Sequence, residues 1–164
     1  MTRDDSKAYF ERVIQVLHED IGELEHVKNA VYLSYIEACA RVHAEHVGLS
    51  LESLIYHGVL PVVKRHDVGY HRPARLGDEL LISTAVIEIG GPTAVRRSEV
   101  RLAATNDLLV EAVTEWVWLE PSLGRPKRVP QAVVAAFGFP TSKPPEPSVS
   151  LPAFQADLDA AFGT

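Results

Sequence analysis

Asp20, Glu23, Glu25, His26 and Asn29 crowd a short stretch that leads into an apolar segment starting at Ala30. A carboxylate in such a place can attack an acyl carbon or activate water, and a histidine can serve as base or hydrogen-bond a carbonyl. An asparagine that opens a helix leaves its backbone N–H among the unsatisfied donors of the first turn, where a developing oxyanion is stabilised. Asn is also among the best N-cap residues, so a purely capping role is the competing expectation. Glu37 is a further carboxylate, but it precedes Arg41 by four residues and Glu45 by eight, the spacing of an ion-pair ladder. His43 and His46 with Glu45 make an i,i+3 histidine pair with no third ligand at a set spacing, so no metal is expected. Cys39, the single cysteine, sits beside Tyr35, Ile36, Ala38 and Ala40 and reads as a core thiol.

A local excess of cations stands out against an acidic chain. Lys64, Arg65, Arg72 and Arg75 fall within one twelve-residue run beside a single acid, Asp67, while the whole chain carries a net charge of −6. Arg125, Lys127 and Arg128 form a second cluster. Such concentrations suit phosphate contacts, or else balance acids at strand ends. The acidic total speaks against nucleic acid as a partner, since duplex binding demands a dominant basic surface. No run of about 18 apolar residues predicts a membrane span. The N-terminal MTRDDSKAYF has acids where a secretory leader needs a basic and then an apolar stretch, so a cytoplasmic location is expected.

Hydropathy patterning supplies the elements that must hold these side chains. Tyr9–Leu17 alternates, with Phe10, Ile14 and Val16 in one phase, and predicts a half-buried strand. His18–Val27 has no clean period and predicts a loop. A long helical pattern follows over Asn29–Val47, its polar positions Ser34, Glu37, Arg41 and Glu45 forming one narrow stripe. A surface helix is polar over about half its circumference, so this one must be wrapped by a sheet or a partner chain. Gly48 ends it, and Ser50 opens a short second helix stopped at Gly58.

Four strands are then expected: Val59–His71, Glu79–Ile89, Thr93–Ala104 and Leu108–Leu119. Their separators, RPARLGD, GGP and TND, are short turn sequences that imply antiparallel neighbours. A short helix closes the pattern at Gln131–Phe137. The expected organisation is a polar tail over 1–8, one domain over 9–138, and a proline-rich tail over 139–164 with a short helix at Phe154–Phe162. The fold class is α+β, a five-stranded antiparallel sheet around a long central helix. Its edge strand needs covering, which predicts at least a dimer, with a tetramer also open.

Two segments carry a family resemblance. Asp20-Ile21-Gly22-Glu23-Leu24-Glu25-His26-Val27-Lys28-Asn29-Ala30-Val31-Tyr32-Leu33 resembles the D-x-D-x-x-G-H-V-N-N-x-x-Y-L signature of hotdog-fold acyl-CoA thioesterases of the hydroxybenzoyl-CoA thioesterase type. Tyr70-His71-Arg72-Pro73-Ala74-Arg75-Leu76-Gly77-Asp78-Glu79-Leu80 resembles the family's Y-x-x-P-A-x-x-G-D-x-L turn, and Trp116-Val117 followed by Gly124-Arg125-Pro126 is a weaker third match. In order and at family spacing, these cover about Phe10–Phe137. Asp20, His26, Asn29 and Tyr32 keep the pattern. Gly22 stands where the family has its catalytic carboxylate, Glu25 where it has glycine, and Lys28 where it has the first Asn.

The resemblance implies a hotdog fold and hydrolysis of an acyl-CoA or acyl-carrier-protein thioester. No cofactor is implied beyond the coenzyme A of the substrate. The Asn29 N–H would bind the oxyanion. The missing acid would be replaced by Glu23 or Asp20, though the latter is usually structural in relatives, or His26 would activate water, though relatives more often use it to shape the loop. Glu25 is expected to face solvent, and Glu37 enters because some hotdog enzymes draw their acid from the helix. An acyl pocket between the helix and a neighbouring subunit would be lined by Tyr32, Tyr35, Ile36, Ile55, Tyr56 and Leu60. Lys64, Arg65, Arg72 and Arg75 would meet the phosphates. Gly22 motivates the alternative, a weakly catalytic or inactive relative that binds acyl thioesters.

Overall fold

The computed structural model describes residues 2–141. Most of the proline-rich tail, with its expected helix at Phe154–Phe162, lies outside the described residues. Strands β1 (Tyr9–Gln15), β2 (Leu60–Tyr70), β3 (Glu79–Gly90), β4 (Thr93–Leu102) and β5 (Leu108–Leu119) form one five-stranded sheet in the order β1-β3-β4-β5-β2. Every pairing in it is antiparallel. This is the α+β architecture expected, with β1 and β2 at the two edges.

Helix α2 (Asn29–His46) packs on one face of the sheet. Ser34, Glu37, Arg41 and Glu45 are exposed along it, while Tyr32, Ile36, Cys39, Ala40 and His43 are buried. The apolar circumference is thus satisfied by the sheet. Gly48 ends the helix at φ +89°, its N–H donating to the Glu45 carbonyl at 3.0 Å. Ser50 caps the next helix, α3 (Leu51–Tyr56), by accepting from the Ser53 N–H.

The connection between β2 and β3 corrects one expectation. Its short turn sequence predicts that the two strands are neighbours, but β2 pairs with β5 and β3 with β1. The link is a packed crossover beneath the start of α2 rather than a hairpin. Ala74 within it is fully buried, donates its N–H to the Tyr32 hydroxyl at 2.8 Å, and accepts the Val27 N–H at 2.9 Å.

The N-terminal segment is also more ordered than a polar tail. Asp4 caps one helical turn, α1 (Asp5–Ala8), and Ala8 is buried. The Asp4 N–H donates to the Gly138 carbonyl at 2.7 Å, just past α4 (Gln131–Ala136). Gly138 has φ +83°, and a Cβ there would run into the Asp4 carbonyl oxygen, so only glycine fits this lock.

Across the sheet face under the helix, burial alternates apolar, polar, apolar. Leu80, Ile82, Val100 and Val110 pack with Tyr32, Ile36 and Cys39. Val86, Ala94 and Trp118 pack with Leu54, Val133 and Phe137. Between these two clusters runs a buried polar row, Thr84, Arg96, Ser98 and Thr114, on β3, β4 and β5. His66 on β2, opposite Thr114, ends it.

Candidate active site

The loop that enters α2 is built around Asp20. Its carboxylate accepts from the Leu17 N–H at 3.0 Å and from the Tyr35 hydroxyl at 2.9 Å, and its carbonyl accepts from the Lys28 N–H at 3.0 Å. Burial, and then the carboxylate beside it, push the Tyr35 phenol upward, so it stays a donor. Asp20 therefore fastens loop to helix.

Gly22–Glu25 is a tight hairpin. The Gly22 N–H donates to the His26 carbonyl at 2.9 Å and the Glu25 N–H to the Gly22 carbonyl at 3.1 Å. Glu25 takes φ +62°, the left-handed region, at the position where the signature has glycine. Glu23 and Glu25 are both exposed at this tip. His26 is half-buried and bridges through its backbone to Arg75. The space next to Gly22 is covered by Lys28, whose Cγ would lie 3.3 Å from an added Cβ. The Lys28 stem thus overlies the space that a side chain at position 22 would enter.

Asn29 is the first residue of α2, and the N-cap is Lys28, so Asn29 does not cap the helix. Its carbonyl accepts from the Tyr70 hydroxyl at 3.1 Å, while its backbone N–H has no acceptor among the described residues. Tyr32 packs between Tyr35 and Tyr70, with ring centroids 6.1 and 5.9 Å away. Asp20, His26, Asn29, Tyr32 and Tyr35 are thereby gathered at the helix start, and Glu23 stands apart at the hairpin tip.

The expected pocket lining is dispersed. Tyr32 and Ile36 are core residues, each 2% exposed. Tyr56 is exposed against His57, and Ile55 is exposed beside it. Leu60 alone of the set lines a groove, one of about 400 Å³ between α2, α3, β2 and β5. The cations also separate. Lys64 and Arg65 are exposed on edge strand β2, where the register shifts between Val63 and Arg65. Arg72 is paired with Asp107 at 3.2 Å, and Arg75 is exposed.

Glu37 also departs from expectation, because its partner is not Arg41. Its Oε1 lies 3.1 Å from His66 Nε2, and His66 Nδ1 lies 2.8 Å from Thr114 Oγ1. A carboxylate oxygen accepts here, so Nε2 is the donor to Glu37. Glu37 lines the mouth of the same groove, with its side chain 48% exposed. His66 and the buried Arg96 are the groups that sequence reasoning missed. Only the strand register reveals them, by putting His66 in phase with Thr114, Arg96 and Thr84.

The family model for the thioesterase-like superfamily matches residues 16–137. An acyl-CoA thioester hydrolase, YbgC of Escherichia coli O6:H1, is 31% identical over 124 residues, spanning 76% of this chain and 92% of the relative. The long-chain acyl-CoA thioesterase FadM of E. coli K12 is 26% identical over 107 residues, 65% of this chain and 80% of its own length. A 1,4-dihydroxy-2-naphthoyl-CoA thioesterase from Synechocystis superposes with a TM-score of 0.72 at 21% identity, over 79% of this chain and 95% of that one. A Thermus thermophilus thioesterase solved with coenzyme A and Zn gives 0.66 at 28% identity, over 77% and 95%. Sheet order, central helix and family match agree, and the chain belongs to the thioesterase-like superfamily, with its hotdog fold.

Proposed function

We propose that the protein hydrolyses an acyl-CoA or acyl-carrier thioester to the free acid and the thiol. The observation that carries this reading is the unbonded backbone N–H of Asn29 in the first turn of α2, a donor for the thioester oxyanion. Glu37, oriented by His66, is the carboxylate that activates water. Asp20 is occupied by Leu17 and Tyr35, and Glu23 stands on an exposed tip, so neither competes well for that role.

Asn29 and Glu37 are eight residues apart, about 12 Å of helix rise. A thioester that touches both therefore spans two copies of the chain. The exposed stripe of α2 and the free edge of β2 offer the surface for that pairing. Exposed Lys64, Arg65 and Arg75 supply cations for coenzyme phosphates, or for the phosphopantetheine arm of a carrier protein. The site works on a water-soluble substrate of the cytoplasm.

Lys28 lying over Gly22 favours a second reading, a relative that holds acyl thioesters with little turnover. Thiol release from short, long and aryl acyl-CoAs separates the two. Turnover of about 1–10³ s⁻¹ on one class supports the enzyme. Release no faster than buffer across the panel, with binding of a non-hydrolysable acyl-CoA retained, supports the second reading.

A further inference from the structure

The groove between α2, α3, β2 and β5 has apolar walls, among them Leu49, Leu51, Leu54 and Val62, but its floor is not apolar throughout. Arg96 lies there, 7% exposed. Its Nη1 donates to His43 Nδ1 at 2.9 Å and to Thr84 Oγ1 at 3.1 Å, and its guanidinium packs over the Phe137 ring at 5.2 Å. Among the described residues no carboxylate pairs with it, and neither Nε nor Nη2 has an acceptor. A buried cation without an anion is costly.

Trp116 and Trp118 also line the groove. The indole N–H groups of Trp116 and Trp118 are buried and have no acceptor. A buried N–H left unpaired forfeits about 1–3 kcal/mol. The remaining charged groups at the groove are Glu37, already held by His66, and exposed Arg41. The floor thus holds a guanidinium without a carboxylate partner, with two unpaired indole N–H groups buried in the residues that line it. Its complement is an anionic acceptor on an apolar body, and a carboxylate is the group a guanidinium fork fits best.

We infer that this groove receives an acyl chain whose far end carries a carboxylate, which meets Arg96 and the two indoles while the thioester lies at the Glu37 mouth. The substrate class is then a monothioester of a dicarboxylic acid. Placement of the thioester end rests on the hydrolase reading; recognition of the far carboxylate rests on Arg96 and the tryptophans alone. A plain alkyl chain in the same groove would leave all three donors unpaired. The volume of about 400 Å³ lies in the range usual for small-molecule pockets.

The test uses non-hydrolysable thioethers, so that it does not depend on turnover. S-(7-carboxyheptyl)-coenzyme A and S-octyl-coenzyme A are titrated into the full-length protein by calorimetry. The carboxyl compound is expected to bind at least about tenfold more tightly, as one charge-assisted hydrogen-bonded pair provides. Arg96→Gln should abolish the preference. Trp116→Phe and Trp118→Phe, which keep the ring and remove only the N–H, should each reduce it and guard against misfolding of the arginine variant. Equal affinities, tighter binding of the octyl compound, or a preference unchanged in all three variants overturns the inference. Binding of neither also overturns it, and leaves the groove to another occupant such as a second copy of the chain. Failure of the protein to hydrolyse the coenzyme A monothioester of octanedioic acid while the preference persists counts against the hydrolase reading and not against this one.

Discussion

Arg96 fixes the tautomer of His43. A guanidinium only donates, so His43 Nδ1, 2.9 Å from Arg96 Nη1, must accept, and the ring proton sits on Nε2, which donates to the Lys7 carbonyl at 2.7 Å. Burial first, then the arginine charge, holds the imidazole down to about 4. Burial also lowers Arg96 to about 10, which leaves it charged at neutral pH.

A pH dependence follows from that histidine. Its folded value of about 4 lies below the ordinary 6.5, so the unfolded chain takes up the proton first as pH falls. The contribution is fully present above pH 6.5 and is lost as the pH drops toward 4, by about 3 kcal/mol in all. Urea unfolding at pH 7 and pH 4.5 should show a loss that is smaller in His43→Gln. Equal losses in the two proteins would count against this assignment.

Glu37→Gln should lower kcat by at least about 10²-fold, the scale of losing a general base. Glu23→Gln should leave turnover within about threefold. Steady-state thiol release checks both, and the reverse ranking would return the role to the hairpin acid.

Gly22→Asp introduces a carboxylate into the hairpin but brings it against the Lys28 stem. With Glu37 as the base, its rate should stay within about threefold of the parent. A gain of more than about tenfold in the same assay would show that a carboxylate at position 22 serves as base better than Glu37 does.

Glu25→Gly relieves a left-handed side-chain conformation at φ +62°. That conformation costs about 1–2 kcal/mol, and the added freedom of glycine in the unfolded chain offsets part of it. A net gain of about 0.5–1 kcal/mol is expected from the urea midpoint, with the unfolding slope unchanged.

Gly138→Ala should do the opposite. Its Cβ would meet the Asp4 carbonyl and come within 3.0 Å of the Lys7 Cβ, at φ +83°. A loss of at least about 1–2 kcal/mol is expected, visible as a lower thermal midpoint.

The helix and all five strands were legible because their periods are strong, and α2 declared its wrapped position by the narrowness of its polar stripe. The β2–β3 crossover was not, since a turn sequence reports local bends and not which strand lies alongside. Asn29 and Asp20 were singled out by the signature, and the structure adds what each touches. The pairing of Glu37 with His66 was hidden because a helix read alone offers only Arg41 as a neighbour. Arg96 was invisible as a buried cation, since β4 reads TAVRRSEVRL and only the register tells Arg96 from exposed Arg97.

The polar row beneath α2 also acts as an alignment mark. A strand of β4 shifted by two residues keeps its apolar side inward, so hydrophobicity alone does not forbid the slip. With Arg96 opposite Thr114, and Thr84 opposite Ser98, a shift that carries Arg96 into the place of Ser98 would set the guanidinium opposite Ala112 and the Ser98 hydroxyl opposite Ile82 and Val110. Two mutually indifferent greasy patches would tolerate many sliding arrangements; the seam between them admits one.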